Sequence, residues 1–233
     1  MNPELPLEDF VDFKCPYCEA LNSFPTSAAG FARECMNCLE AFLVPSDGVE
    51  IARKIPLPVE TAKIRLRRFE ASDWEDLLEF QFDDEDEAMD WIQRISQARL
   101  TDGRETFHLA VEAREKGNVV RSLGLRFLDV PLHQIEVSFF PAKTALVQEW
   151  DAEALGTALD FCFRDLNVHR VVAQCGGKDS ESRRLFEHAG MRQEAEFVKN
   201  HFADGEWFNT AWFAILREEY FADAGGEGAA GAS

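Results

Sequence analysis

The sequence predicts an α/β domain of the α+β kind, with a mixed, mostly antiparallel sheet, preceded by a small metal-stapled module. Three observations predict it. Apolar residues recur with strand or helix period in the order strand, two helices, three strands, helix, strand, helix, two strands. Two Cys-x-x-Cys pairs, Cys15/Cys18 and Cys35/Cys38, lie within the first 50 residues. A stretch carrying Pro56 and Pro58 separates the two regions.

In order, residues 1–50 hold the cysteine module and 51–60 read as an extended linker. Residues 61–221 form one continuous α/β pattern with its own core. Residues 222–233 are Ala- and Gly-rich and are expected to be disordered. Within the large region, Lys63 to Phe69 alternates as a strand. Ser72 is a candidate N-cap for a helix through Phe82, with Glu75 at the capping-box position. Glu85 to Leu100 is a second helix, with Met89, Ile92 and Ile95 on one face. Thr106 to Ala113 and Val119 to Phe127 are strands about the turn Lys116-Gly117-Asn118. Ile135 to Phe140 is a fourth strand, Ala152 to Leu166 a helix and Val168 to Cys175 a fifth strand. Asp179 can cap a helix from Ser180 to Ala189, which Gly190 ends. Two strands, near Glu194 to Phe202 and Trp207 to Leu216, close the pattern about the turn Asp204-Gly205.

Composition narrows the function. The chain has 233 residues, 46% of them hydrophobic, with 20 Phe and a net charge of −19. That charge argues against nucleic acid or an anionic membrane as partner, since both need clustered Lys and Arg. Solubility is the plainest reading of the charge, and a basic protein partner or an amine substrate is the other. The run Asp83 to Glu87 reads as a helix start, where acids meet the positive end of the dipole. No apolar stretch approaches the roughly 20 residues that span a bilayer. Met1-Asn2-Pro3-Glu4 lacks a secretory pattern, so a cytoplasmic location is expected.

Six cysteines in such a chain favour metal over disulfides. Two Cys-x-x-Cys turns offer four thiolates, the donor set of a tetrahedral structural zinc. With Val11 and Phe13 before the first pair and Phe42 and Val44 after the second, the module resembles a zinc ribbon. It departs in having Glu19 and Leu39 where such knuckles often place glycine. Buried or disulfide-bonded cysteines are the alternative. Residues 1–50 hold nine Asp or Glu against two Lys or Arg, the wrong sign for a nucleic-acid ribbon. A folding staple or a protein-docking role suits them. Cys162 and Cys175 read as core residues.

The order of elements, with particular motifs, resembles the GNAT acyl-CoA N-acyltransferase superfamily over about 160 residues. Arg65-Leu66-Arg67-Arg68-Phe69 and Asp73-Trp74-Glu75-Asp76-Leu77-Leu78 look like the first strand and helix of its ribosomal-protein N-terminal acetyltransferase branch. His169 to Ala173, Ser182-x-Arg184-Leu185-Phe186-Glu187-x-x-Gly190-Met191 and Asp204-Gly205-Glu206-Trp207 follow at the family's spacing. The resemblance implies acetyl-CoA as co-substrate and a primary amine as acceptor, either a protein N-terminus or a small molecule. It also implies that the thioester lies between the fourth and fifth strands.

Carried over residue by residue, Glu136 is the candidate base. Ser138 and Phe140 on the fourth strand, Gln148, Glu149, Trp150 and Asp151 before the third helix, and Asp179 and Ser182 at the fourth helix are the candidate CoA contacts. The family's loop pattern, Gln/Arg-x-x-Gly-x-Gly/Ala, falls here on Leu146 to Asp151, which has no glycine. From Pro141 to Phe163 only Lys143 is basic, so Glu149 and Asp151 oppose an anion there unless they point to solvent. A solvent-facing strand acid is the alternative for Glu136. Phe186 stands where many relatives have a proton-donating Tyr. His108, His133 and His169 read as structural. A catalytically inactive relative, acting with its ribbon as an interaction module, therefore stands beside the transferase reading.

Overall fold

The computed structural model describes residues 9–46, 48–101, 103–128, 133–139, 150–203 and 205–226. Near the N-terminus, β1 (Phe10–Lys14) pairs antiparallel with β2 (Leu21–Pro25), and β3 (Ala32–Glu34) with β4 (Ala41–Leu43). Alternation in β1 buries Val11 and Phe13 and exposes Phe10, Asp12 and Lys14. Phe13 packs edge-on against Phe42 at 5.2 Å, and Val44 joins the same small core.

Residues 51–60 are extended, as the prolines suggest, but they are not a free linker. β5 (Arg53–Lys54) pairs with β4, and β6 (Val59–Glu60) pairs with the first strand of the large sheet. Ala52 and Ile55 are buried. Pro removes a backbone donor only at 56 and 58, so residues 53–54 and 59–60 keep the N–H groups a ladder needs. Nor are the two cores wholly separate. Ala32, Ala41 and Ile55 belong to the large core beside Ile64 and Leu66.

The large region contains β7 (Ile64–Arg67), α1 (Trp74–Phe80), α2 (Glu85–Ser96), β8 (Phe107–Ala113), β9 (Asn118–Phe127) and β10 (Gln134–Phe139). Then come α3 (Asp151–Asp160), a π turn over Phe161–Asp165, β11 (Arg170–Gly176), α4 (Ser180–His188), β12 (Arg192–Ala203) and β13 (Glu206–Leu216). The sheet order is β12-β13-β11-β10-β9-β8-β7-β6. Every neighbouring pair is antiparallel except β10 with β11.

Period two divides the sheet into faces. Leu109 and Val111 of β8, Leu123 and Leu125 of β9, Ile135 and Val137 of β10, and Val171 and Ala173 of β11 share a core with α3 and α4. The other face receives α1 and α2, where Trp91 meets His108 of β8 at 5.0 Å.

Some expectations need correction. α2 turns Ala88, Trp91 and Ile92 inward and leaves Met89 47% exposed. The large indole at 91 sets the buried face. Ser72 does not cap α1. A capping box joins Glu70 and Asp73 across a tight turn, and Arg67 holds the Asp73 carboxylate at 2.7 and 2.8 Å. Residues 222–226 continue α5 (Arg217–Gly226). That helix is started by Glu219 accepting from the Leu216 N–H, and Tyr220 packs on Phe163 at 5.1 Å. Residues 227–233 lie outside the described residues.

Candidate functional site

The single parallel pair in the sheet is short and lies in its interior. Gln134, Ile135 and Glu136 of β10 pair with Arg170, Val171 and Val172 of β11, and there the pairing stops. Beyond it β10 stays on β9 as far as Phe139, and β11 stays on β13 as far as Gly176. The two strands therefore part at Glu136 and Val172.

Glu136 sits at this fork and is only 5% exposed. Arg126, its cross-strand partner on β9, donates to Oε2 from Nε at 3.1 Å and, closer still, from Nη2. Gln174, two residues past the fork on β11, donates from Nε2 to Oε1 at 2.5 Å. The solvent-facing alternative is thus excluded by burial and by these partners. Ser138, two residues on, shares the Glu136 face on the open side of β10 and is half-buried. Phe140, Gln148 and Glu149 lie outside the described residues.

At the start of α3, Trp150 is half-buried and Asp151 wholly buried. Arg121 of β9 grips Asp151 with both arms, and the Arg121 guanidinium lies 5.7 Å from the Phe139 ring centre. Sequence reasoning set the Asp151 charge against an incoming anion. The structure corrects this, because Arg121 neutralises that charge inside the protein.

Beside Trp150 a cavity of about 560 Å³ is lined by Lys63, Arg114 and Lys116, with Glu115 the one acid among the described lining residues. Lys116 lies 5.8 Å from the Trp150 ring centre. Glu153, in the first turn of α3, accepts from the Thr61 hydroxyl and the Lys63 N–H. The cavity's cations therefore come from turns far off in sequence, which a count along the loop misses.

Asp179 caps α4, accepting from the Ser182 N–H at 3.0 Å and the Ser182 hydroxyl at 2.6 Å. These two predicted contacts are brought to the far side of the fork, but they engage each other. Phe186 is buried against Phe213 at 5.3 Å. Cys162 is fully buried, as expected, while Cys175 is half-buried near the fork. Burial, then the Asp179 charge, push the Cys175 thiol up to about 11. Burial, then the charge of Arg94, push His108 down to about 4, consistent with a structural residue.

The four N-terminal sulfurs lie within 4.8 Å of one another and could hold one metal ion. Cys15 to Cys38 and Cys18 to Cys35 are each 3.7 Å apart. A tetrahedron with bonds of about 2.3 Å has edges of about 3.8 Å. Both knuckles aim backbone N–H groups at sulfur, Tyr17 at Cys15 and Asn37 at Cys35, each at 3.4 Å. Asn22 and Asn37 side chains add bonds to Cys35 and Cys18. Glu19 and Leu39 take φ of 60° and 63°, the left-handed conformation that glycine fills in other knuckles. The turn geometry is thus kept without the residue that usually makes it easy.

Comparisons with known proteins agree with this architecture. The family model for the acetyltransferase (GNAT) domain matches residues 63–192. The chain is similar to the uncharacterized N-acetyltransferase YnaD of Bacillus subtilis strain 168, with 24% identity over 175 residues, covering 70% of this chain and 98% of that one. A GNAT-family acetyltransferase structure from Bacillus anthracis superposes with a TM-score of 0.60 at 21% identity, over 70% of this chain and 99% of that one. A spermidine N-acetyltransferase from Vibrio cholerae, solved with CoA and spermine, gives 0.55 at 17%, over 69% and 99%. Among the described residues no helix is long and apolar enough to cross a membrane. The forked sheet, the helices on its two faces and the family match over more than half its length place this chain in the GNAT acetyltransferase family.

Proposed function

We propose that the protein transfers an acetyl group from acetyl-CoA to a primary amine, borne by a protein N-terminus or a small molecule, with Glu136 as the proton acceptor. The observation that carries this is the fork: two strands part where a buried carboxylate is held at their junction. In the transfer an amine nitrogen loses a proton, its lone pair forms the N–C bond, and the C–S bond breaks to release a thiolate. Glu136 takes the amine proton directly or through one water. Phe186 cannot supply the thiolate's proton, so that proton comes from solvent or from the released amine proton. Arg121 is committed to Asp151, so Lys63, Arg114 and Lys116, which line the cavity beside Trp150, are the cations that with the α3 N-terminus suit a phosphate group. The neighbour bound to CoA and spermine is a likeness of fold, so the acceptor here rests on the −19 charge and on the cleft itself.

The cysteine cluster holds one structural zinc in this reading. Four protein thiolates leave no open position, so the ion braces the module and takes no part in transfer.

A second reading, an inactive GNAT-fold interaction module, is favoured by Phe186 in the core and by a loop without glycine between residues 142 and 151. Calorimetry with acetyl-CoA, followed by transfer assays on an amine panel, separates the two. CoA binding with Glu136→Gln slowing transfer by about 100-fold or more supports the enzyme. No CoA binding and no transfer to any amine supports the module.

A further inference from the structure

Gln174 is exposed, yet its side chain reaches back across the fork to a buried carboxylate. It stands on β11 beyond the last β10–β11 pair, whereas Glu136 stands at that pair. The bond thus spans the mouth of the opening between the strands. Glu136 has no idle oxygen in this state, because Arg126 takes Oε2 and Gln174 takes Oε1.

Resting on the reading of Glu136 as proton acceptor, we infer that Gln174 is a latch, released when a ligand enters the fork and thereby freeing Oε1 for the acceptor amine. The two partners are unequal. Arg126 makes two charge-assisted bonds from the strand that never leaves β10, so it holds the carboxylate in place throughout. Gln174 makes one neutral-donor bond from the strand that has parted. A ligand lying between β10 and β11 separates Gln174 from Glu136 and leaves Arg126 untouched. The acceptor oxygen is then bared only with the fork filled. Gln174 is a positioning residue that acts through Glu136, and no bond to substrate is asked of it.

The latch makes an unusual demand. Breaking its bond opposes ligand entry, so removing it must strengthen binding. Gln174 is exposed and water can replace its amide, so the bond contributes about 1 kcal/mol net, the value of an ordinary hydrogen bond. That corresponds to about fivefold in affinity. A residue that merely shaped the cleft would have the opposite effect when truncated.

The experiment is calorimetry of CoA on the full chain and on its Gln174→Ala and Gln174→Asn variants, with the Gln174 side-chain amide signal followed by NMR in the unaltered protein. The latch requires that CoA move that signal and that both variants bind CoA about fivefold more tightly, since Asn is too short to span the fork. The KM for acetyl-CoA should fall by the same factor. Unchanged or weaker binding in both variants overturns the latch, as does CoA binding that leaves the Gln174 signal in place. The NMR arm needs no variant, so misfolding of either one does not spare the idea. Absence of any CoA binding removes the transferase reading and the latch together, whereas binding with an unmoved signal removes the latch alone.

Discussion

Arg121 and Asp151 form a two-armed pair, Nε to Oδ1 at 3.0 Å and Nη2 to Oδ2 at 2.9 Å, with both side chains buried. It ties the middle strand β9 to the first residue of α3. A carboxylate in the first turn also favours the helix, and here its charge is balanced from below.

Breaking this pair from one side should be costly, because it leaves an uncompensated charge inside the protein. Arg121→Ala or Asp151→Ala should each lose about 3–5 kcal/mol of unfolding free energy. Denaturant melts check this. The pair replaced together by apolar residues of similar volume should lose much less. Asp151→Ala should not tighten CoA, since its charge does not reach the ligand side. Tightening by tenfold would show that the carboxylate faces the anion after all.

One zinc per chain is expected from elemental analysis of protein purified without added metal. Chelation should destabilise the transferase domain as well as the cysteine module. Phe31 meets His133 edge-on at 4.8 Å, Arg53 pairs with Asp165 at 2.9 Å, and Glu34 takes Arg99 at 3.0 Å. Ala32 and Ala41 sit in the large core. Since ligand binding to the folded state is folding free energy, Cys15→Ser should lower the unfolding temperature of the whole chain. A transferase transition that ignores both the chelator and the substitution would show the two parts to be independent.

His108 should make the protein acid-sensitive. Its pKa of about 4 in the fold lies below the ordinary value of 6.5. Above pH 6.5 both states are neutral there and its contribution is complete. As pH falls toward 4 the unfolded chain takes up a proton that the fold refuses. Stability then drops by about 1.4 kcal/mol per pH unit, to a total of about 3. His108→Gln should flatten that part of the stability profile relative to the unaltered chain. Equal slopes between pH 6.5 and 4 would free His108 of the effect.

The order of elements was readable because period two and period 3.6 are imposed by the backbone, whatever the packing. The knuckles were readable because metal chemistry dictates both residue type and spacing. What escaped was pairing across the sheet. Arg121 and Arg126 interrupt the apolar strand Val119 to Phe127, and a cation there must find an acid. That signal was available, and it leads to Asp151 and Glu136. Their partnership depends on register, which no local pattern gives. The stretch 51–60 was misjudged because two prolines outweighed the ladder-competent residues around them. Gln174 carried no signal at all, since an exposed amide past the end of a strand pairing resembles any surface residue.

Parting after Val172 gives the sheet an edge in its interior. The outermost strands pay the usual penalty of unpaired N–H and C=O groups facing the crowd, and β6, with two residues, keeps that exposure short. The inward edges of β10 and β11 face each other instead, each backed by a neighbour on its other side. A strand from another protein cannot lie flat against either. The protein can therefore keep hydrogen-bonding capacity permanently unspent without inviting aggregation.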